Sequence, residues 1–108
     1  MTRISGALNV DGNNKAVGWN SVNITAAAPT TTVVKSGSGA LHTITFNKPV
    51  ATGVVTIYDN TAGSGTVIGT ITVPSSPMPV TLTYDLIFST GLTIVTATAA
   101  QDITVTYI

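Results

Sequence analysis

From Ala40 to Val73 the chain alternates apolar and polar residues with a period of two, in three runs separated by turn residues. In the first, Leu41 to Asn47 (LHTITFN), His42, Ile44 and Phe46 share one face, and Thr43 and Thr45 share the other. In the second, Val55 and Ile57 alternate with Thr56 and Tyr58 until Asp59-Asn60 stops the run. In the third, Val67, Gly69, Ile71 and Val73 oppose Ile68, Thr70 and Thr72. Alternation of β-branched residues between Pro, Gly, Asn and Asp is the pattern of half-buried antiparallel strands. Three such strands in succession predict a meander with one apolar face, which the rest of the chain has to cover.

The rest of the chain is consistent with that role. Arg3 to Val10 is a strand candidate ended by Asp11-Gly12-Asn13-Asn14, and Val17 to Thr25 is a second with poor alternation around Trp19. Pro29 cannot continue a ladder, so Ala26 to Pro29 reads as a connector. Residues 1–29 are therefore expected to be an extended N-terminal arm or hairpin, and residues 30–108 the β-sandwich domain. After a strand at Thr31–Ser36 and the central run, Pro74-Ser75-Ser76-Pro77-Met78-Pro79 excludes a central strand and suits a rigid crossover between sheets. Val80–Phe88 resumes the alternation with Leu82, Tyr84, Leu86 and Phe88 on one face. Leu92–Thr98 and Asp102–Ile108 close the chain, with one possible helical turn at residues 97–101. Regular short strands predict an all-β fold, an antiparallel sandwich or jelly-roll-like barrel.

Composition narrows the function. Charged residues are 7% of the chain and the net charge is zero, against about 25% charged in typical soluble domains. Such a chain lacks the basic surface that nucleic acid or an anionic membrane would attract, and lacks the self-repulsion that keeps monomers apart. Thr, Val and Ile make up about two-fifths of it, which suits pleated surfaces. An apolar, neutral chain that ends on a strand reads as a component of an assembly. Cysteine is absent, so neither a disulfide framework nor a thiolate metal site exists. The stretch MTRISGALNV lacks an unbroken apolar core, so synthesis in a cytoplasm without general export is expected.

No set of residues in the sequence carries chemistry. His42 is the single histidine, and its phase with Ile44 and Phe46 makes it a structural or interface residue. Asp59-Asn60 offers too few oxygens for calcium and is expected to be a turn whose side chains bond their own backbone. The two Gly-Ser-Gly segments lack the helix and Lys-Ser/Thr of a phosphate cradle. Four scattered Asp residues offer no tuned carboxylate pair. Tyr84 and Tyr107 fall in phase with core residues, leaving Trp19 and Tyr58 as sugar platforms for a glycan module. Neither a cofactor nor a metal is called for. Trp19, among Gly and Asn, is a candidate anchor into a partner or a cap on its own core. If the arm is the contact segment, the candidate interface residues are Arg3, Ile4, Leu8, Trp19, Val22 and Ile24.

From about Thr32 to Ile108 the chain resembles small β-sandwich structural proteins from the virion modules of tailed bacteriophages. The likeness lies in LHTITFN (Leu41 to Asn47), TIYDNTAGSGTVIGTI (Thr56 to Ile71), YDLIFSTGLTIVTA (Tyr84 to Ala97) and the closing DITVTYI. The resemblance implies a capsid decoration, or cement, protein on the exterior of the virion. Such a protein is multimeric, with a trimer favoured, is non-enzymatic, and binds the major capsid protein. It implies no catalytic or binding side chains. A tail- or fibre-borne module that binds host glycan, and a collar or tail subunit, are the alternatives.

Overall fold

The computed structural model describes residues 9–10 and 16–108. Asn9–Val10 (β1) and Ala16–Val17 (β2) pair antiparallel as a separate two-stranded sheet. The remaining strands are β3 (Asn20–Ile24), β4 (Thr30–Ser36), β5 (Gly39–Lys48), β6 (Val54–Asp59), β7 (Thr66–Thr72), β8 (Val80–Phe88), β9 (Gly91–Ala97) and β10 (Asp102–Tyr107). They form two four-stranded antiparallel sheets, ordered β3-β10-β5-β8 and β4-β9-β6-β7. Within these sheets β3 pairs with β10, β4 with β9, β5 with β8 and β6 with β7. This nesting is one long hairpin, with its tip between β6 and β7, rolled into two layers. It is jelly-roll connectivity.

The rolled hairpin corrects the expected meander. β5 lies in the first sheet, whereas β6 and β7 lie in the second. From β3 to β10, β6–β7 alone is a hairpin within one sheet; each other link crosses between layers, including the Pro74–Pro79 segment expected to do so. The β3–β4 link contains a cis Ala28–Pro29 bond. Residues 97–101 hold no helical turn.

Leu41, Ile44, Phe46 and Phe88 of one layer meet Val55, Ile57, Leu92 and Ile94 of the other in a single core, with Ile24, Val73, Ile103 and Val105. β3 is an edge strand of this sandwich, hydrogen-bonded along its length to β10. Residues 20–24 are thus part of the body of the domain, a feature that an arm ending at residue 29 would not have. The second sheet is covered on its outer side as well. The Asn60–Gly65 loop lies back over it, so close that a Cβ on Gly63 would meet Val95 Cγ2 at 2.9 Å. Thr93 Oγ1 donates to Asn60 O at 2.7 Å. This explains why β9 is buried on nearly every residue.

Two bulges break the alternation read from the sequence. The β5–β8 register passes from Leu41↔Leu86 to Thr43↔Thr83, and β5–β10 from Leu41↔Tyr107 to Thr43↔Thr106. His42 is the extra residue against β10. The bulge lets Leu41 share the buried face with Ile44 and Phe46, and His42 leaves it. Likewise β6–β7 passes from Ile57↔Gly69 to Tyr58↔Val67. Ile68 then packs on the core and Val67 is exposed, the reverse of the expected phase.

Candidate functional site

The bulge in β5 builds a small polar cluster on the outer side of the first sheet. Opposite His42, β8 supplies Tyr84 and Asp85, and Asp85 takes a left-handed backbone (φ 46°) that Asp tolerates better than most residues. His42 Nδ1–H donates to Asp85 Oδ1. Trp19, just before β3, stacks on the His42 ring with centroids 4.3 Å apart and planes 14° from parallel. The neighbouring hydroxyls of Thr43 and Thr106 bond each other at 2.5 Å. The cluster therefore holds an oriented imidazole and a carboxylate, with its hydroxyls engaged elsewhere. Its clearest effect is to fasten the chain entering β3 to the sheet.

Two other acids are fasteners. Asp59 was expected to bond its own turn; instead it reaches the β8–β9 link, some thirty residues on. Its carboxylate accepts from the N–H groups of Ser89 at 3.0 Å, Thr90 at 2.8 Å and Gly91 at 3.4 Å. The Ser89 and Thr90 N–H groups hold its carboxyl below the ordinary carboxylate range, against a smaller opposing effect of burial. Asn60 does behave as expected, accepting from Thr61 N–H at 2.9 Å and donating to Ser64 O at 2.8 Å. Asp102 accepts from Asn23 Nδ2 at 2.8 Å and Asn47 Nδ2 at 3.1 Å, and these amides lower its carboxyl in the same sense. Asn23, in a glycosylation-type triplet with Thr25, thus has its amide nitrogen engaged within the sheet. Buried Gln101 bonds both Val50 N–H (2.8 Å) and Val50 O (2.9 Å). A Cβ on Gly53 would lie 2.0 Å from its Nε2.

An apolar concave feature lies at the far end of β8 from Asp85, and a shallower, more polar hollow of about 260 Å³ is lined by Thr25, Lys48, Val50, Ala100, Gln101 and Asp102. A cleft of about 140 Å³ opens between β7 and β8, with Phe46, Ile71, Val73 and Leu82 inside and Pro49, Pro77, Met78 and Val80 around it. Met78 is 76% exposed and Val80 47%. Phe46 and Val73, at its floor, belong to the core and stay 1% and 4% exposed.

The candidate interface residues divide three ways. Arg3, Ile4 and Leu8 lie outside the described residues. Trp19 is partly buried on His42. Val22 packs on the core and Ile24, 4% exposed, is part of it. Ile24 is therefore spent on its own domain and corrects the interface set, because β3 turns that side of its alternation inward. Tyr84 and Tyr107 pack against the core as expected, and burial raises the Tyr84 hydroxyl above its ordinary value. The sequence reading missed the β7–β8 cleft, whose only signal was the apolar Met78-Pro79-Val80 beside the prolines. Among known protein families, curated proteins and solved structures, none matches this chain.

Proposed function

We propose that this chain is a non-enzymatic structural protein of a tailed-phage virion, foremost a capsid decoration protein that binds across major capsid subunits and stabilises the head. The observation that carries the reading is the apolar cleft with its exposed rim, in a neutral chain with few charges. Such a surface attaches by buried area. The resemblance read in the sequence and the jelly-roll connectivity, which occurs in viral capsid and lectin domains, support it. On this reading the mechanism is mechanical: several weak contacts, each on a different subunit, sum to a durable attachment and oppose separation of the subunits. A glycan module would present an exposed aromatic pair beside a polar groove. Here one face of Trp19 is taken by His42 and the cleft is apolar, so the structural reading is preferred.

The test is the composition and strength of the particle. Purified virions should contain this chain in many copies. Particles assembled without it should lose infectivity at a lower temperature, and added protein should restore resistance. Absence from the virion, or unchanged heat resistance without it, overturns the reading.

A further inference from the structure

We infer that Trp19, His42 and Asp85 form a proton-operated latch, which holds the chain entering β3 to the first sheet more tightly when His42 carries a charge. The latch stands independently of the virion reading. Three observations carry it.

The first is convergence. Trp19 lies just ahead of β3, His42 in β5 and Asp85 in β8, and they meet where β5 leaves regular register with both of its neighbours. Asp85 keeps its left-handed backbone (φ 46°) at the point where it meets the His42 ring. Backbone held in sparsely populated regions collects at switch sites. The second is that both contacts answer to one proton in the same direction. Histidine is the side chain that changes charge between pH 5 and 8, and the chain has one. Neutral, the ring gives Asp85 a hydrogen bond and Trp19 a stack of uncharged rings 4.3 Å apart. Protonated, it makes the bond to Asp85 an ion pair and sets a cation over the indole face. Nothing has to move for this, because the ring already lies 14° from parallel to the indole with Nδ1 on the carboxylate.

The third is the set of groups around the ring. Among the described residues, Asp85 is the charged group that meets His42. The titratable neighbours on β8 and β10, Tyr84 and Tyr107, pack against the core, with the Tyr84 hydroxyl against Gly69. Lys35 ends by Gly39 and the Phe88 ring, and the residues of β1 and β2 are uncharged. The His42 side chain is 13% exposed and that of Asp85 58%, so water screens the pair in part and the proton adjusts the latch without making or breaking it. The latch therefore tightens as pH falls through the histidine range, while Asp85 stays ionised, and slackens as pH rises. What it governs is the joint between the chain leaving β2 and the sandwich.

The experiment is hydrogen exchange of the full chain at about pH 5.5 and about pH 7.5, either side of the range over which histidine changes charge. Each amide's protection is taken relative to its intrinsic rate at that pH. The β3 amides bonded to β10 should be protected about two- to fivefold more at the lower pH, the effect of one cation–π contact at a partly exposed site. The β7 amides, at an edge of the other sheet, should not change. His42→Gln keeps a donor for Asp85 but takes up no proton, and should abolish the difference in β3. Asp85→Asn, whose side chain tolerates the left-handed backbone, should shrink it. Circular dichroism checks that both variants fold. Equal β3 protection at the two pH values in the wild type overturns the latch, as does a difference that persists undiminished in His42→Gln or in Asp85→Asn. A change in β7 as large as that in β3 overturns it too, since the proton would then act on the whole fold.

Discussion

The two ends of β8 are built on opposite principles. Beyond Phe88 the layers are closed: Asp59 grips the three N–H groups of the β8–β9 link, Gly37 N–H donates to Thr90 O at 2.9 Å, and Ala40 and Ile108 exchange two backbone bonds. Gly39 sits so tightly there that a Cβ would lie 2.1 Å from Ile108 O. Before Val80 the layers part around the cleft, and the link is made of prolines. Left-handed positions in the loops follow the same division, Asp85 lying within β8 itself. At the closed end the left-handed loop positions are held by Gly37 and Gly65, both at φ 92°; at the open end they fall on Thr52 and Thr98, at φ 64° and 73°. Glycine accepts such angles freely and a β-branched residue does not. One end is optimised for stability. The other tolerates strain and exposes apolar surface, Met78 and Val80 above all.

The largest expected effect tests the contrast in the core. Phe88→Ala, at a fully buried site of the closed end, should cost about 3–5 kcal/mol in urea unfolding, since a rigid surround cannot collapse onto the void. Leu82→Ala, on the cleft wall, should cost less than about 2 kcal/mol, because part of its surface already lacks packing partners. Equal losses would break the distinction between the ends.

Acid tests the polar closure. The folded-state value of Asp59 is depressed, so its contribution is complete above the unfolded value of about 3.9 and is lost as pH falls through the lower folded value. The urea midpoint should fall below pH 4, and Asp59→Asn should lower the midpoint at pH 7 while flattening its fall in acid. A residual slope should remain from Asp102, whose value is depressed in the same sense by Asn23 and Asn47. A profile identical in wild type and variant would mean that Asp59 does not hold the closed end together.

At the open end, relief of strain should be visible as a gain. Thr98→Gly places a residue that favours positive φ in the β9–β10 link, and should raise stability by about 1 kcal/mol, net of the flexibility added to the unfolded chain. The thermal midpoint reads it; a loss would mean that the Thr98 conformation is not strained.

The layered β architecture was legible because the period-two pattern of Val80–Phe88 and Asp102–Tyr107 survives intact in the structure. What the alternation could not show was which strands share a sheet. Leu41–Asn47 and Val54–Asp59 look like hairpin partners, and only the nested pairing of β5 with β8 and β6 with β9 and β7 separates them. Bulges were equally invisible, because one extra residue at His42 or Ile68 reverses the face of everything beyond it without changing composition. For the same reason His42 and Asp85 could not be paired in advance: they lie 43 positions apart and meet only through the shifted register. The cleft was hidden for a different reason. The proline crossover was read correctly, but a gap between layers is a property of packing, with no residue type of its own.

The smallest effect concerns the joint between the entering chain and the first sheet. Trp19 is the only tryptophan, so its fluorescence reports its stack on His42 with no other indole contributing. His42→Ala removes one aromatic of a parallel pair worth about 0.5–1.5 kcal/mol and leaves Asp85 exposed to water, where it needs no partner. The loss in stability should stay within that range, while the emission of Trp19 shifts to the red as the indole gains water. Phe88→Ala, by contrast, should leave the emission of the folded protein nearly unchanged, since it empties the core beneath the sheet and not its outer face. An emission spectrum unmoved by His42→Ala would mean that Trp19 is held by its other contacts. The imidazole would then be fixed by Asp85 alone, and the joint would belong to β3 pairing with β10.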